Sequence, residues 1–176
     1  MSEKYKIYPE GTFFITLTVV GWIDVFTRRE YADEIIANLN YCTRQKGLKI
    51  YSYCIMPSHL HMICSAESGN LSDILRDFKS YTAKRIISLI ESNPTESRKD
   101  WLLYLFRFFR QHTIHNKEFK FWQQHNHPID LTDAKLFDQK VNYIEQNPVV
   151  AGLVTEAAYY TFSSANPDGL VILVEV

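Results

Sequence analysis

Residues 48–65 read LKIYSYCIMPSHLHMICS. Two runs rich in β-branched, aromatic and apolar residues, Leu48 to Met56 and His59 to Ser65, flank the break Pro57-Ser58. The pattern predicts two antiparallel strands joined by a tight turn. In the second strand His59 and His61 stand two positions apart, so both imidazoles share one face while Leu60 turns to the other.

The flanks extend this hairpin into a sheet with helices. Upstream, Thr12 to Val20 (TFFITLTVV) alternates as a strand. Thr27 with Glu30 three positions later predicts a capping box. Ile35, Ile36, Leu39 and Cys42 follow at helical spacing, and Gly47 is placed to end that helix. Downstream, Leu71, Ile74, Leu75, Phe78, Thr82, Ile86, Leu89 and Ile90 form one apolar stripe, closed by Asn93-Pro94. Trp101 to Phe109 predicts a further, aromatic helix within an insertion near 95–115. His127 to Leu131 predicts a short strand. Thr132-Asp133 opens a helix that Pro148 is expected to end, and Leu170 to Val176 predicts a last strand. The expected class is α+β: a ferredoxin-like antiparallel sheet with helices packed on one face, in a single domain spanning 1–176.

Composition narrows the function. Of 176 residues, 46% are hydrophobic and 14% aromatic, which excludes a disordered chain. No apolar run approaches the length of a membrane span, and Met1 to Glu10 is too polar for a signal peptide. Three cysteines suit a reducing cytoplasm better than a disulfide framework. The net charge of -1 gives no general attraction for nucleic acid. Residues 98–127 are locally basic, however, with Arg98, Lys99, Arg107, Arg110, Lys117 and Lys120 against Asp100 and Glu118.

Four groups of residues can carry chemistry. His59 and His61 supply two legs of a metal site, although spacing alone also describes two surface histidines on an edge strand. Tyr143 and Asn147, four positions apart, share a helix face. Tyr143 is a potential nucleophile and Asn147 a potential oxygen ligand for a hard cation, or they are core packing and a helix end. Cys54, His59, His61 and Cys64 have the composition of a zinc site, but Cys64 lies an odd number of positions from the histidines and faces the other way. His125 and His127 form a second His-x-His pair in a polar stretch before Pro128, without an assigned role.

Two blocks bring these residues together. Tyr53 to Ile63 (YCIMPSHLHMI) resembles the MPNHxH signature of the HUH one-tyrosine transposases. Asn142 to Val154 (NYIEQNPVVAGLV) resembles that family's YIHxNPVxAGLV block. Phe121-Trp122-Gln123-Gln124 and Phe162-Ser163-Ser164-Ala165 are similar to the REP-associated branch of the same IS200-like family. The resemblance covers Phe13 to Ala165. It implies an HUH endonuclease architecture with His59, His61 and Asn147 as ligands of Mg²⁺ or Mn²⁺ and Tyr143 as nucleophile. It implies cleavage and rejoining of single-stranded DNA hairpins, by Tyr143 acting in its own subunit or across a homodimer. Ser58 stands where Asn is common, and Glu145-Gln146 replaces a commoner His-containing pair; neither position is a proposed ligand. Arg76, Lys79, Lys84 and Arg85, off the apolar stripe of their helix, and Arg107 and Arg110 are candidate DNA contacts. The rival expectation is a non-catalytic DNA- or RNA-binding module on the same fold.

Overall fold

The computed structural model describes residues 7–110 and 118–174. Strand β1 (Phe13–Thr18) leads through two short 3-10 turns, Val20–Trp22 and Val25–Thr27, into helix α1 (Arg29–Lys46). Strands β2 (Leu48–Met56) and β3 (His59–Ala66) form the central hairpin. Helices α2 (Leu71–Ser92) and α3 (Lys99–Arg110) follow. The short β4 (Ile129–Asp130) then precedes α4 (Ala134–Val150). The sheet order is β2-β3-β1-β4 with every pairing antiparallel, the expected ferredoxin-like arrangement.

Strand parity divides the molecule. Phe13, Ile15 and Leu17 of β1 and Leu60, Met62 and Cys64 of β3 point into a core closed by α1, α2 and α3. Phe14 and Ile63 point the other way, into a smaller core with Ile144, Leu136, Phe137 and Val141 of α4. The helices therefore cover both faces of the sheet rather than one. The reason lies in α4, whose apolar positions meet the second face. In β2 the simple alternation breaks: the register shifts between Ile50 and Ser52. This bulge puts Ile50 and Tyr53 in the larger core and turns Cys54 and Met56 toward α4.

Several local expectations give way to tertiary contacts. Thr27 does not cap α1; its hydroxyl donates to Asp24 O at 2.8 Å, and the N-cap position falls at Arg28. Glu30 instead accepts from the Asn93 side chain. Pro148 lies inside α4 rather than ending it. In the last turn proline forfeits a single hydrogen bond, and the helix closes at Gly152. There φ is 71°, Leu153 N donates to Pro148 O and Gly152 N to Val149 O, both at 2.9 Å. The segment from Leu170 is no strand within its described residues. Asn40 binds Leu170 O and Ile172 N, and Val174 N reaches Ile50 O, so side-chain and bulge contacts replace a ladder. Glu175 and Val176, residues 111–115 of the insertion, and Lys117 lie outside the described residues.

The described part of the insertion is structural. Leu102, Leu103 and Phe106 of α3 are buried in the larger core. Its start is held by Glu96, whose carboxylate is fully buried. Glu96 accepts from Arg28 Nε and Tyr31 OH, both at 3.3 Å, and from Arg98 N at 3.0 Å, which ties the N-terminal end of α1 to the α2–α3 connection. Burial would raise the Glu96 pKa, but the Arg98 N–H and the Arg28 and Arg98 guanidiniums outweigh it and hold it below 4.5. A depressed carboxylate stabilises the fold above its unfolded value, and that contribution disappears as pH falls through the folded value. Glu96→Gln should cost about 2 kcal/mol in urea unfolding at pH 7. The difference from wild type should shrink at acid pH; a constant difference would mean that the charge is not what matters.

Candidate active site

β1 and β3 pair so that Thr16 lies opposite His61 and Thr18 opposite His59, all on the α4 side of the sheet. The His59 and His61 rings meet edge to face with centroids 4.6 Å apart. Each Nδ1 has a hydroxyl partner: Thr16 Oγ1 at 2.9 Å from His61 and Ser58 Oγ at 3.1 Å from His59. The tautomer that donates from Nδ1 leaves each Nε2 lone pair for a ligand. Ser58, which departs from the family signature, thus contacts a candidate ligand directly.

Burial disfavours the charged form of both imidazoles. His61 is 6% exposed, and burial, with His59 and the Lys140 ammonium adding to it, pushes its pKa down to about 3. Burial also lowers that of His59. Neutral imidazole is the form that binds a cation.

Helix α4 brings Tyr143 to this pair within one chain. The Tyr143 ring lies 5.3 Å from that of His61 and 5.9 Å from Phe14, and it is 45% exposed. Phe14 stacks on His61 at 5.4 Å, so the three rings form one cluster. Asn147, half-buried, sits one turn further along the same helix face. Two further residues at the site carry no signal in the sequence. Lys140 places its ammonium 4.7 Å from the Phe14 ring and 5.3 Å from the Tyr143 ring. Trp22 lies edge-on to His59 at 5.3 Å. Their sequence distance from the histidines hides both; only the closing of the sheet unites them.

The zinc set does not assemble. Cys54 lies opposite His61, its thiol pushed up to about 12 by burial, but Cys64 is in the other core. Among the described residues no group of three or more His, Cys, Asp or Glu side chains is placed to hold a metal. His125 and His127 flank the site: Asn126 O accepts from Thr16 N at 3.1 Å, so this segment runs beside β1 at the level of His61.

The cations expected to meet DNA are scattered. α2 packs on the far side of the sheet from Tyr143. There Arg76 pairs with Asp73 and Asp77, Arg85 pairs with Glu34, and Lys84 lines the groove between α1 and α2. Lys79 is half-buried, its ammonium donating to Gln123 O and Asn126 Oδ1 at 2.7 Å each and to Gln124 O at 3.3 Å. Burial lowers its pKa to about 8, and the three acceptors tie the ammonium to the 123–126 segment. Arg107 pairs with Glu118 and covers the Phe119 ring, and Arg110 ends α3.

Residues 22–109 match the family described as "Transposase IS200 like", which is half of the 176-residue chain. The chain belongs to the IS200-like transposase family. Among solved structures, a REP-associated tyrosine transposase bound to a REP hairpin aligns over 100% of this chain and 93% of its own. The TM-score is 0.66 at 18% identity, which shows a shared fold. A putative transposase from Deinococcus radiodurans R1 aligns over 64% of this chain and 98% of its own, at 16% identity and a TM-score of 0.40. No curated protein matches the sequence. Among the described residues no helix is long and apolar enough to cross a membrane.

The Thr16 hydroxyl is bonded to His61 Nδ1; if the histidine pair holds a divalent cation, Thr16→Val should lower Mn²⁺ affinity by roughly tenfold or more in calorimetric titration, with Thr16→Ser close to wild type. Equal affinity in all three proteins would remove this hydroxyl from any role in cation binding.

Proposed function

We propose that this protein is a divalent-metal-dependent transposase that cleaves and rejoins single-stranded DNA through Tyr143, acting on hairpin-forming ends. One observation carries the proposal above all: Tyr143 meets His61 on one face of the sheet, within one chain. A pure binding module has no need of a phenol against two oriented, neutral imidazoles.

The donor set fits a cation. His59 and His61 have each Nδ1 engaged by a hydroxyl, and the Asn147 carboxamide oxygen, on the Tyr143 side of α4, suits Mg²⁺ or Mn²⁺. When bound there, the cation supplies Lewis-acid polarisation of a phosphate oxygen. The phenolic oxygen of Tyr143 forms a bond to phosphorus as the bond from phosphorus to the 3′-oxygen breaks. The phenolic proton passes to solvent, and the leaving oxygen takes up a proton to become a 3′-hydroxyl. The product is a 5′-phosphotyrosine that conserves the phosphoester bond. Attack by the 3′-hydroxyl of another strand restores the phenol and joins the DNA without ATP. The Lys140 ammonium, beside the Tyr143 ring, offers positive charge where the phosphate would sit. Arg76, Lys84 and Arg85 would meet only a hairpin stem that runs round to the α1–α2 face.

Tyr143→Phe removes one oxygen from a half-exposed ring, so folding should be unaffected. With Mn²⁺ and a tailed DNA hairpin, covalent adduct on a denaturing gel should fall below detection while hairpin affinity stays within about twofold. An adduct that persists in this variant would transfer the nucleophilic role to another residue.

A further inference from the structure

Trp22 borders the candidate active site, yet the chemistry proposed for Tyr143 does not use it. Its indole is 61% exposed and stands beside the His59 ring. The chain on either side is anchored. Val20 and Ile23 are buried, Val20 N donates to Phe121 O at 2.8 Å, and Trp22 N donates to Val19 O at 3.1 Å. Between these anchors the backbone is left-handed twice, with φ of 62° at Gly21 and 55° at Trp22. Glycine adopts that conformation freely. A bulky residue holds it only where the surroundings impose it, and such positions cluster at functional sites.

The source of the constraint is α3. The Phe109 ring lies where a side chain on Gly21 would begin: a Cβ there would come within 2.5 Å of it. Gly21 therefore admits Phe109, and the turn carries the next side chain outward. Hydrophobic packing alone would bury an indole, whereas this turn holds one in solvent at the edge of the histidine pair.

We propose that Trp22 is a stacking platform for the base of the nucleotide adjoining the scissile phosphate, in the single-stranded part of the substrate. This rests on the reading of His59, His61 and Tyr143 as a strand-cleaving centre. A phosphate held at the histidines brings its own nucleotide within reach of the neighbouring indole. An aromatic face accepts any base, since every base has a π-face, but it accepts only one that is unstacked from a duplex. The platform accordingly selects single-stranded DNA at the cleavage position without selecting its sequence.

The test uses DNA hairpins with unpaired tails in which one tail position at a time is abasic or carries 2-aminopurine. In the wild-type protein, adduct formation should drop on the order of tenfold when one position beside the cut is abasic, and 2-aminopurine there should be quenched on binding. Trp22→Gly should lose about as much activity on the intact tail and show neither the abasic sensitivity nor the quenching. Trp22→Phe should retain most of both. Because glycine relieves the left-handed strain, Trp22→Gly should also unfold at a temperature equal to or above that of wild type, which separates lost stacking from lost folding. Unchanged abasic sensitivity or quenching in Trp22→Gly would overturn the proposal. If wild type forms no adduct yet quenches one tail position in a Trp22-dependent way, the strand-cleaving reading fails and the platform stands. With neither adduct nor Trp22-dependent quenching, both fall.

Discussion

The antiparallel register of β1 against β3 sets Thr16 opposite His61 and Thr18 opposite His59. Because side chains alternate along a strand, a slip of one residue would turn both histidines into the core beneath α1 and α2 and bring Leu60 out. That slip is opposed on both faces at once. Phe13, Ile15 and Leu17 are all but fully buried on one side, and Phe14 packs between His61 and α4 on the other. The same pairing supplies the Thr16 hydroxyl to His61, so the register that buries the core also orients that imidazole.

The two faces of the sheet have different tasks. The larger core, under α1, α2 and α3, holds the strands in register, and the smaller one seats α4 so that Tyr143 arrives over His61. Elements remote in sequence support the rim. The buried Glu96 anchors the start of α3, and Phe109 near the end of that helix packs on Gly21. The Lys79 ammonium, reaching from α2, holds the carbonyls of Gln123 and Gln124 beside β1. The half-buried Lys79 and the buried Glu96 thus position the strands and turns around the histidines, which is why the charges picked out along the chain do not map simply onto a DNA-binding surface.

What was legible in the sequence is what periodicity encodes. The hairpin at 48–65, the apolar stripe of α2 and the shared face of His59 and His61 follow from repeats of two and of about three and a half residues, and the structure has all three. The pairing of Tyr143 with the histidines came through family resemblance, not spacing, because no local rule links α4 to β3. Local preference gives way where tertiary contacts outrank it. The run LKIYSYCIM alternates well enough to conceal a bulge. Pro148 is a helix breaker in isolation but costs little in a final turn closed by Gly152. Leu170 to Val174 has the composition of a strand, yet Asn40 has already bound its backbone. Lys79 reads as a surface cation until the segment 123–126 folds over it. Trp22 carries no signal at all, since its meaning lies in a backbone conformation and a neighbour on another strand.

The central claim is that the phenolic oxygen of Tyr143 is the nucleophile in a strand-cleaving site assembled by this fold. Mass spectrometry of the peptide that begins at Val141, after incubation of the protein with Mn²⁺ and a tailed DNA hairpin and digestion with trypsin and nuclease, tests it most directly. The account predicts a nucleotide phosphate mass localised to Tyr143 by fragmentation, present with Mn²⁺ and absent with EDTA. Modification at Tyr159 or Tyr160 instead, or DNA cleavage with no modified tyrosine, would contradict it.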